Sequence, residues 1–187
     1  MPRYLALLRG INVGGHNKVA MADLRQIAAD LGYTDISTYI QSGNLMFSSD
    51  DPDAAGHADL LQKAIAERLG VHAGVVVLTA GELDAVITGN PFPNETNDRC
   101  VHAVLRTGPM DSRALTAVAE AVRKARERGS RDNAIVVGQT LYLHTPDGFG
   151  RSDLAARLVS SAAQAGGTAR NWATVNKLRA LLAETQS

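Results

Sequence analysis

DISTYIQSGNLMFSS, residues 35–49, reads as two strands, DISTYIQ and NLMFSS, joined by a tight turn at Ser42-Gly43. What surrounds this hairpin decides the fold. Upstream lie an apolar strand, Tyr4–Arg9, and a helical stripe of Met21, Leu24, Ile27, Ala28 and Leu31 that closes at Gly32. Downstream, Asp51-Pro52 opens a second helix, which carries Leu60, Leu61, Ala64, Ile65 and Leu69 and stops at Gly70. GVVVL, residues 74–78, reads as a buried strand. Thr79-Ala-Gly-Glu82 is a capping box that starts a short helix to about Ile87. The order is βαββαβ plus a helix.

The same order returns in the second half. Val101–Arg106 is a strand, and Leu115, Val118, Val122 and Ala125 stripe a helix that ends at Gly129. AIVV and TLYLH form a hairpin around Gly138-Gln139. Ser152 caps a helix that buries Leu154, Leu158, Val159 and Ala162 and ends at Gly166-Gly167. A strand at Gly167–Arg170 leads to a last helix with Trp172, Val175, Leu178, Leu181 and Leu182 on one face. With right-handed crossovers a βαββαβ unit makes a ferredoxin-like plait, an antiparallel sheet with helices on one face. The expectation is therefore an α+β chain built as a tandem duplication of two ferredoxin-like α/β-plait subdomains, each followed by an extra helix. The first subdomain spans 1–88, a Pro/Asn-rich linker 89–99, and the second 100–187.

Composition restricts the function. Nineteen Lys/Arg balance nineteen Asp/Glu, so no global field draws in nucleic acid or an anionic membrane. The halves differ, with six basic against ten acidic residues in 1–90 and thirteen against nine in 91–187. Cys100 stands alone, which forbids an internal disulfide and fits a reducing compartment. The start MPRYLALLRGIN lacks a signal-peptide core, and no segment approaches the ~20 apolar residues of a membrane span. These features place the chain in the cytoplasm. They say nothing about oligomeric state.

The best functional address is LLRGINVGGHNKVAM, residues 7–21. The halves echo each other at Leu8-Arg9-Gly10 and Leu105-Arg106-Thr107-Gly108, and then the first half inserts a longer loop before its helix. Long connections of this kind tend to carry function. The loop is no nucleotide-hydrolysis motif: its glycines at 10, 14 and 15 miss G-x-G-x-x-G, and His16-Asn17 replaces the Lys-Ser/Thr of a Walker A. Backbone amides at Gly10, Gly14 and Gly15, with Arg9 and Lys18, are suited to holding an anion. A surface loop whose glycines merely permit left-handed backbone is the equal alternative. Antiparallel pairing of strands one and three brings the QSGN turn (Gln41, Ser42, Gly43, Asn44) beside this loop, and Asn12, Gln41 and Asn44 are residues that orient a ligand.

A second cluster joins PDGFGRSDL, residues 146–154, to ARNW, residues 169–172. Arg151, Ser152, Arg170 and Asn171 form an anion-binding set at a helix start; the plain alternative is two capped helices, Ser152 on one and Asn171 on the other, with Trp172 read mainly as core. Together the two clusters describe a ligand site in the cleft between subdomains. No general base stands out, so whether the protein is an enzyme stays open, and no metal spacing or cofactor motif occurs. The basic run RKARERGSR, residues 123–131, offers nucleic-acid binding as the alternative. A solvated helix face with Glu120–Lys124 and Glu127–Arg131 pairs explains it as well.

LLRGINVGGHNKVAMADLR, YIQSGN, NPF, DGFGRSDL and ARNWATVNKL together resemble the DUF1697 family, bacterial proteins of unknown function. The resemblance runs from about residue 4 to residue 183 and implies two α/β-plait subdomains. It implies no activity, substrate or cofactor. Two positions depart from the family's habit: His16 stands where Gly-Lys usually precedes Asn17, and Asp153 where Ser-Lys-Leu is common. If those lysines hold an anion in relatives, this chain holds it differently.

Overall fold

In the computed structural model, which describes residues 1–184, the chain forms two compact units. The first contains residues 1–84 with the C-terminal segment from Leu178, and the second contains Ala85–Lys177. In chain order the first half has β1 (Arg3–Leu8), α1 (Met21–Asp30), β2 (Thr34–Tyr39), β3 (Asn44–Ser48), α2 (Ala54–Leu69), β4 (Val75–Thr79) and α3 (Ala80–Thr88). The second has β5 (Val101–Leu105), α4 (Ser112–Glu127), β6 (Asn133–Val137), β7 (Thr140–His144), α5 (Asp153–Gln164), β8 (Thr168–Asn171) and α6 (Trp172–Ala183). The chain is thus mixed α and β, with two four-stranded sheets ordered β2-β3-β1-β4 and β6-β7-β5-β8. Every pairing is antiparallel.

The β2–β3 hairpin forms as expected, with Thr38 opposite Leu45 and Tyr39 opposite Asn44. Gly43 makes its turn at φ +76°, where an added Cβ would meet Leu8 Cβ and Ile11 Cδ1 at 2.7 Å. Glycine is required there both by conformation and by space. The capping box also forms: Glu82 N–H donates to Thr79 Oγ1 at 3.2 Å, and Thr79 N–H donates to Glu82 Oε2 at 2.7 Å.

The first unit's core packs α1 and α2 on the sheet around Leu24, Phe47, Leu61 and Ile65. His57 is buried at its centre, a position that apolar periodicity gave no reason to expect. Its ring lies edge-on to Tyr4, Tyr33 and Phe47, with centroids 4.9, 5.1 and 5.3 Å away. Both nitrogens are partnered at 2.9 Å, Nδ1 with the Tyr33 hydroxyl and Nε2 with the Asp51 carbonyl. A carbonyl only accepts, so Nε2 carries the proton and Nδ1 accepts from Tyr33. Burial, and then the Asp51 carboxylate, push the Tyr33 hydroxyl up to about 12, which keeps it a donor.

Two expected core positions face water instead. Leu60 is 46% exposed, because the buried row of α2 runs His57–Leu61–Ile65 and leaves Leu60 one position off it. Leu115 is 43% exposed, because burial on α4 begins one turn later at Val118. Trp172, Val175, Leu178 and Leu182 are buried as expected. Among the described residues no helix is long and apolar enough to cross a membrane.

Candidate functional site

The glycine loop leaves the C-terminal end of β1, a strand with a neighbour on each side. Leu8 N–H donates to the Gly43 carbonyl at 2.8 Å and Arg9 N–H to the Gly74 carbonyl at 2.9 Å, so the loop starts between the QSGN turn and the start of β4. The Arg9 guanidinium lies over Gly74, where an added Cβ would come within 2.8 Å of Nη2. Beyond Arg9 the backbone turns left-handed at Gly10, Asn12, Gly14, Gly15 and Asn17.

Two asparagines fold this loop. Asn12 Nδ2 donates to the Val19 carbonyl at 2.9 Å and to the Gln41 carbonyl at 2.8 Å, and Asn12 Oδ1 accepts from Val19 N–H at 2.9 Å. Asn17 Nδ2 donates to the Gly10 carbonyl at 3.0 Å. Asn12 thus ties the loop to the QSGN turn, as antiparallel pairing of β1 and β3 leads one to expect, while its own polar atoms are engaged by backbone. Asn44 is fully buried and donates to the Tyr39 carbonyl at 3.0 Å and to Ser42 Oγ at 2.9 Å. Gln41 is exposed, and among the described residues its side-chain amide makes no hydrogen bond. Its neighbour Ile40 stands at φ +50°, costly for a β-branched side chain.

Asn12, Gly15, Lys18, Val19, Ala20 and Gln41 line a shallow cavity of about 370 Å³ where α1 begins. Ala20 occupies the N-cap of α1 and has no side-chain acceptor to offer. The first intrahelical donor is Leu24 N–H, to the Ala20 carbonyl at 3.0 Å, so the amides of the first turn lack an intrahelical acceptor. α4, α5 and α6 close this end with a side chain: Asp111 Oδ1 accepts from Ala114 N–H at 2.7 Å, Ser152 Oγ from Ala155 at 2.9 Å, and Asn171 Oδ1 from Thr174 at 2.8 Å, whereas α2, like α1, has no side-chain cap bond. The open start of α1 was legible only as an alanine directly before the first helical residue.

The second cluster does not gather as a site. Ser152 is buried and caps α5, while Asn171 caps α6. Trp172 is core beside Tyr142, ring centroids 6.2 Å apart. Arg170 is more than nine-tenths buried, and its Nη1 donates to Thr168 Oγ1 and to the Ala169 carbonyl, both at 2.9 Å. Burial draws its guanidinium down to about 10. Arg151 alone of this set is exposed, and it lines a cavity with Lys124, Arg128 and Arg157, residues far from it in the sequence or on another face of the pattern.

The basic run divides. Arg123 pairs with Glu127 on α4, and Arg131 binds Asp147, with Nε donating to Oδ2 at 3.0 Å. Among the described residues the run's ion pairs are these, in place of the expected Glu120–Lys124 and Glu127–Arg131. Arg123 and Arg126 border one cavity, while Lys124 and Arg128 border another.

His102 is half-buried and stacks on Phe149, ring centroids 3.8 Å apart. Its Nδ1 is buried without a partner, and burial lowers its pKa to about 4. Burial, and then Glu95 and Asp147, push the Cys100 thiol up, which suits a buried residue rather than a nucleophile.

The family model described as "Protein of unknown function (DUF1697)" matches residues 1–142. The conserved bacterial protein SP0830 from Streptococcus pneumoniae has a similar solved structure. Its TM-score is 0.76 and its sequence identity 24%, with 97% of this chain and 98% of that chain covered. This likeness is one of fold. No curated protein matches the chain.

Proposed function

The chain belongs to the DUF1697 family, whose description assigns no activity, and from that premise we propose that it binds a small anionic ligand where the glycine loop meets α1. The observation that carries the reading is the open helix end. Ala20 leaves the first-turn amides of α1 uncapped beside a cavity that Lys18, Gly15 and Gln41 also line. An anion there gains the helix dipole, free N–H donors and an ammonium group together. The strain at Ile40, next to Gln41, supports the same address, since costly backbone tends to persist where function requires it.

The architecture proposed with this reading is a duplicated ferredoxin-like plait. Its support is the strand order, β2-β3-β1-β4 in one sheet and the equivalent β6-β7-β5-β8 in the other.

The test is a thermal-shift series with inorganic phosphate, sulfate and citrate at low ionic strength. The wild-type chain is expected to gain stability with at least one of these anions. Lys18→Gln reduces that gain, and Ala20→Asp, which supplies the missing cap, abolishes it. A gain that survives Ala20→Asp unchanged sinks the assignment.

A further inference from the structure

The second unit holds a cavity of about 330 Å³ that the glycine-loop reading does not use. It lies where the C-terminal end of α4 meets the N-terminal end of α5. Lys124, Arg128, Asp132, Arg151, Asp153 and Arg157 are among its lining residues. Four cations against two carboxylates leave an excess of two positive charges.

Stability alone gives a poor account of this arrangement. Lys124 and Arg128 suit the negative end of α4. Arg151 and Arg157 do the opposite, since they stand just before α5 and in its second turn, near the positive end of that helix. Among the described residues none of the four makes a side-chain hydrogen bond or an ion pair. Arg151 does act through space on Asp147, but that carboxylate is held by Arg131. Of the neighbouring cations outside the cavity, Arg123 is paired with Glu127 and Arg131 with Asp147.

Asp132 adds an independent observation. It is only 8% exposed, and its carboxylate accepts no hydrogen bond from the described residues, although its backbone N–H donates to Ser130 Oγ at 3.1 Å. Asp132 lines the cavity, and its carboxylate, without a donor among the described residues, offers an acceptor to a ligand hydroxyl or amine.

We propose that this cavity binds a phosphomonoester that carries a hydroxyl or amine, with its phosphate among Lys124, Arg128, Arg151 and Arg157 and its donor on Asp132. A phosphomonoester carries about −1.5 to −2 charges at neutral pH, which matches the excess positive charge. The cavity is in the size range of small-ligand sites. A nucleic-acid backbone would need the flanking cations as well, and Glu127 and Asp147 already neutralise those.

The experiment is calorimetric titration of the full chain at low salt with ribose 5-phosphate, inorganic phosphate and ribose. Ribose 5-phosphate is expected to bind about tenfold or more tighter than phosphate, and ribose not to bind. Lys124→Gln with Arg157→Gln, both at exposed positions, weakens both phosphates by about tenfold or more. Asp132→Ala removes the advantage of ribose 5-phosphate and leaves phosphate binding in place. Should that variant fail to fold, amide NMR shifts on the wild-type chain give the same information: ribose 5-phosphate must move residues 128–132 and 151–154. Lys18→Gln leaves the affinity for ribose 5-phosphate unchanged, whatever it does to inorganic phosphate at the glycine loop, which separates the two sites. Absence of binding by the wild-type chain overturns the proposal, as does affinity unaffected by the Lys124/Arg157 pair or shifts confined to residues 10–20. Equal affinity for ribose 5-phosphate and phosphate overturns the role of Asp132.

Discussion

The connection from β1 to α1, residues 9–20, is twice as long as the one from β5 to α4, residues 106–111, although both leave an inner strand of a four-stranded sheet. The short one ends on Asp111, whose carboxylate caps α4. The long one ends on Ala20, which caps nothing. A connector that only had to reach its helix would be short and close the helix end. The β1–α1 segment instead adds residues, holds them with Asn12 and Asn17, and leaves the helix end open beside a cavity. This contrast supports the proposed ligand at the loop, and it teaches that a missing cap, which α2 shares, becomes informative only together with a long connection and an adjoining cavity.

The sharpest way to break the comparison is at the two hairpin turns. Gly43→Ala is expected to destabilise by about 2–4 kcal/mol, because its Cβ meets Leu8 and Ile11 in a left-handed conformation. Gly138→Ala, also at positive φ but with open space around it, costs about 1 kcal/mol. Urea denaturation of both variants measures the difference, and equal losses would remove the claim that the first turn is locked beneath the loop.

Two histidines, one buried in the first unit and one half-buried in the second, extend the contrast. His57→Leu leaves the Tyr33 hydroxyl without its ring-nitrogen acceptor and takes one donor from the Asp51 carbonyl, a loss of about 2–3 kcal/mol by denaturant titration. His102 has a folded-state pKa of about 4, below its unfolded value of ~6.5. The unfolded chain therefore binds the proton more readily, and stability is lost as pH falls from about 6.5 towards 4. Solvent contact limits the effect to about 1–2 kcal/mol. Denaturation at pH 7 and pH 4.5 should show this drop in the wild-type chain and a smaller one in His102→Phe.

The smallest expected effects concern the helix starts themselves. Asp111→Ala costs about 1 kcal/mol, and Ala20→Asp gains about as much in the absence of ligand. Thermal melts of the two single variants check the opposite signs. A neutral Ala20→Asp would mean that the start of α1 already has its acceptors.

Much of the fold could be read from local pattern. The apolar stripes located the strands and helices, and Thr79, Ser152 and Asn171 identified three helix starts by side-chain chemistry alone. Leu60 and Leu115 were misplaced because a leucine near a stripe looks like part of it until packing selects the buried row. His57 was missed for the converse reason, since a polar residue joins a core only when tertiary partners satisfy both ring nitrogens. The candidate site was half legible. The loop and the QSGN turn do meet, but Asn12 and Asn44 serve the backbone, and four members of the second cluster are caps or core.

By itself the sequence determined the element order, the hairpins, most caps and the unusual length of one connection, because these follow from short-range periodicity and backbone preference. Only the tertiary structure decided which polar groups remain available to a ligand. Arg151 became a partner of Lys124 and Arg128 through the packing of α4 near α5, and Arg170 was withdrawn by burial in a strand. Availability depends on what every neighbour, near or far in the chain, has already satisfied, and no local pattern carries that information.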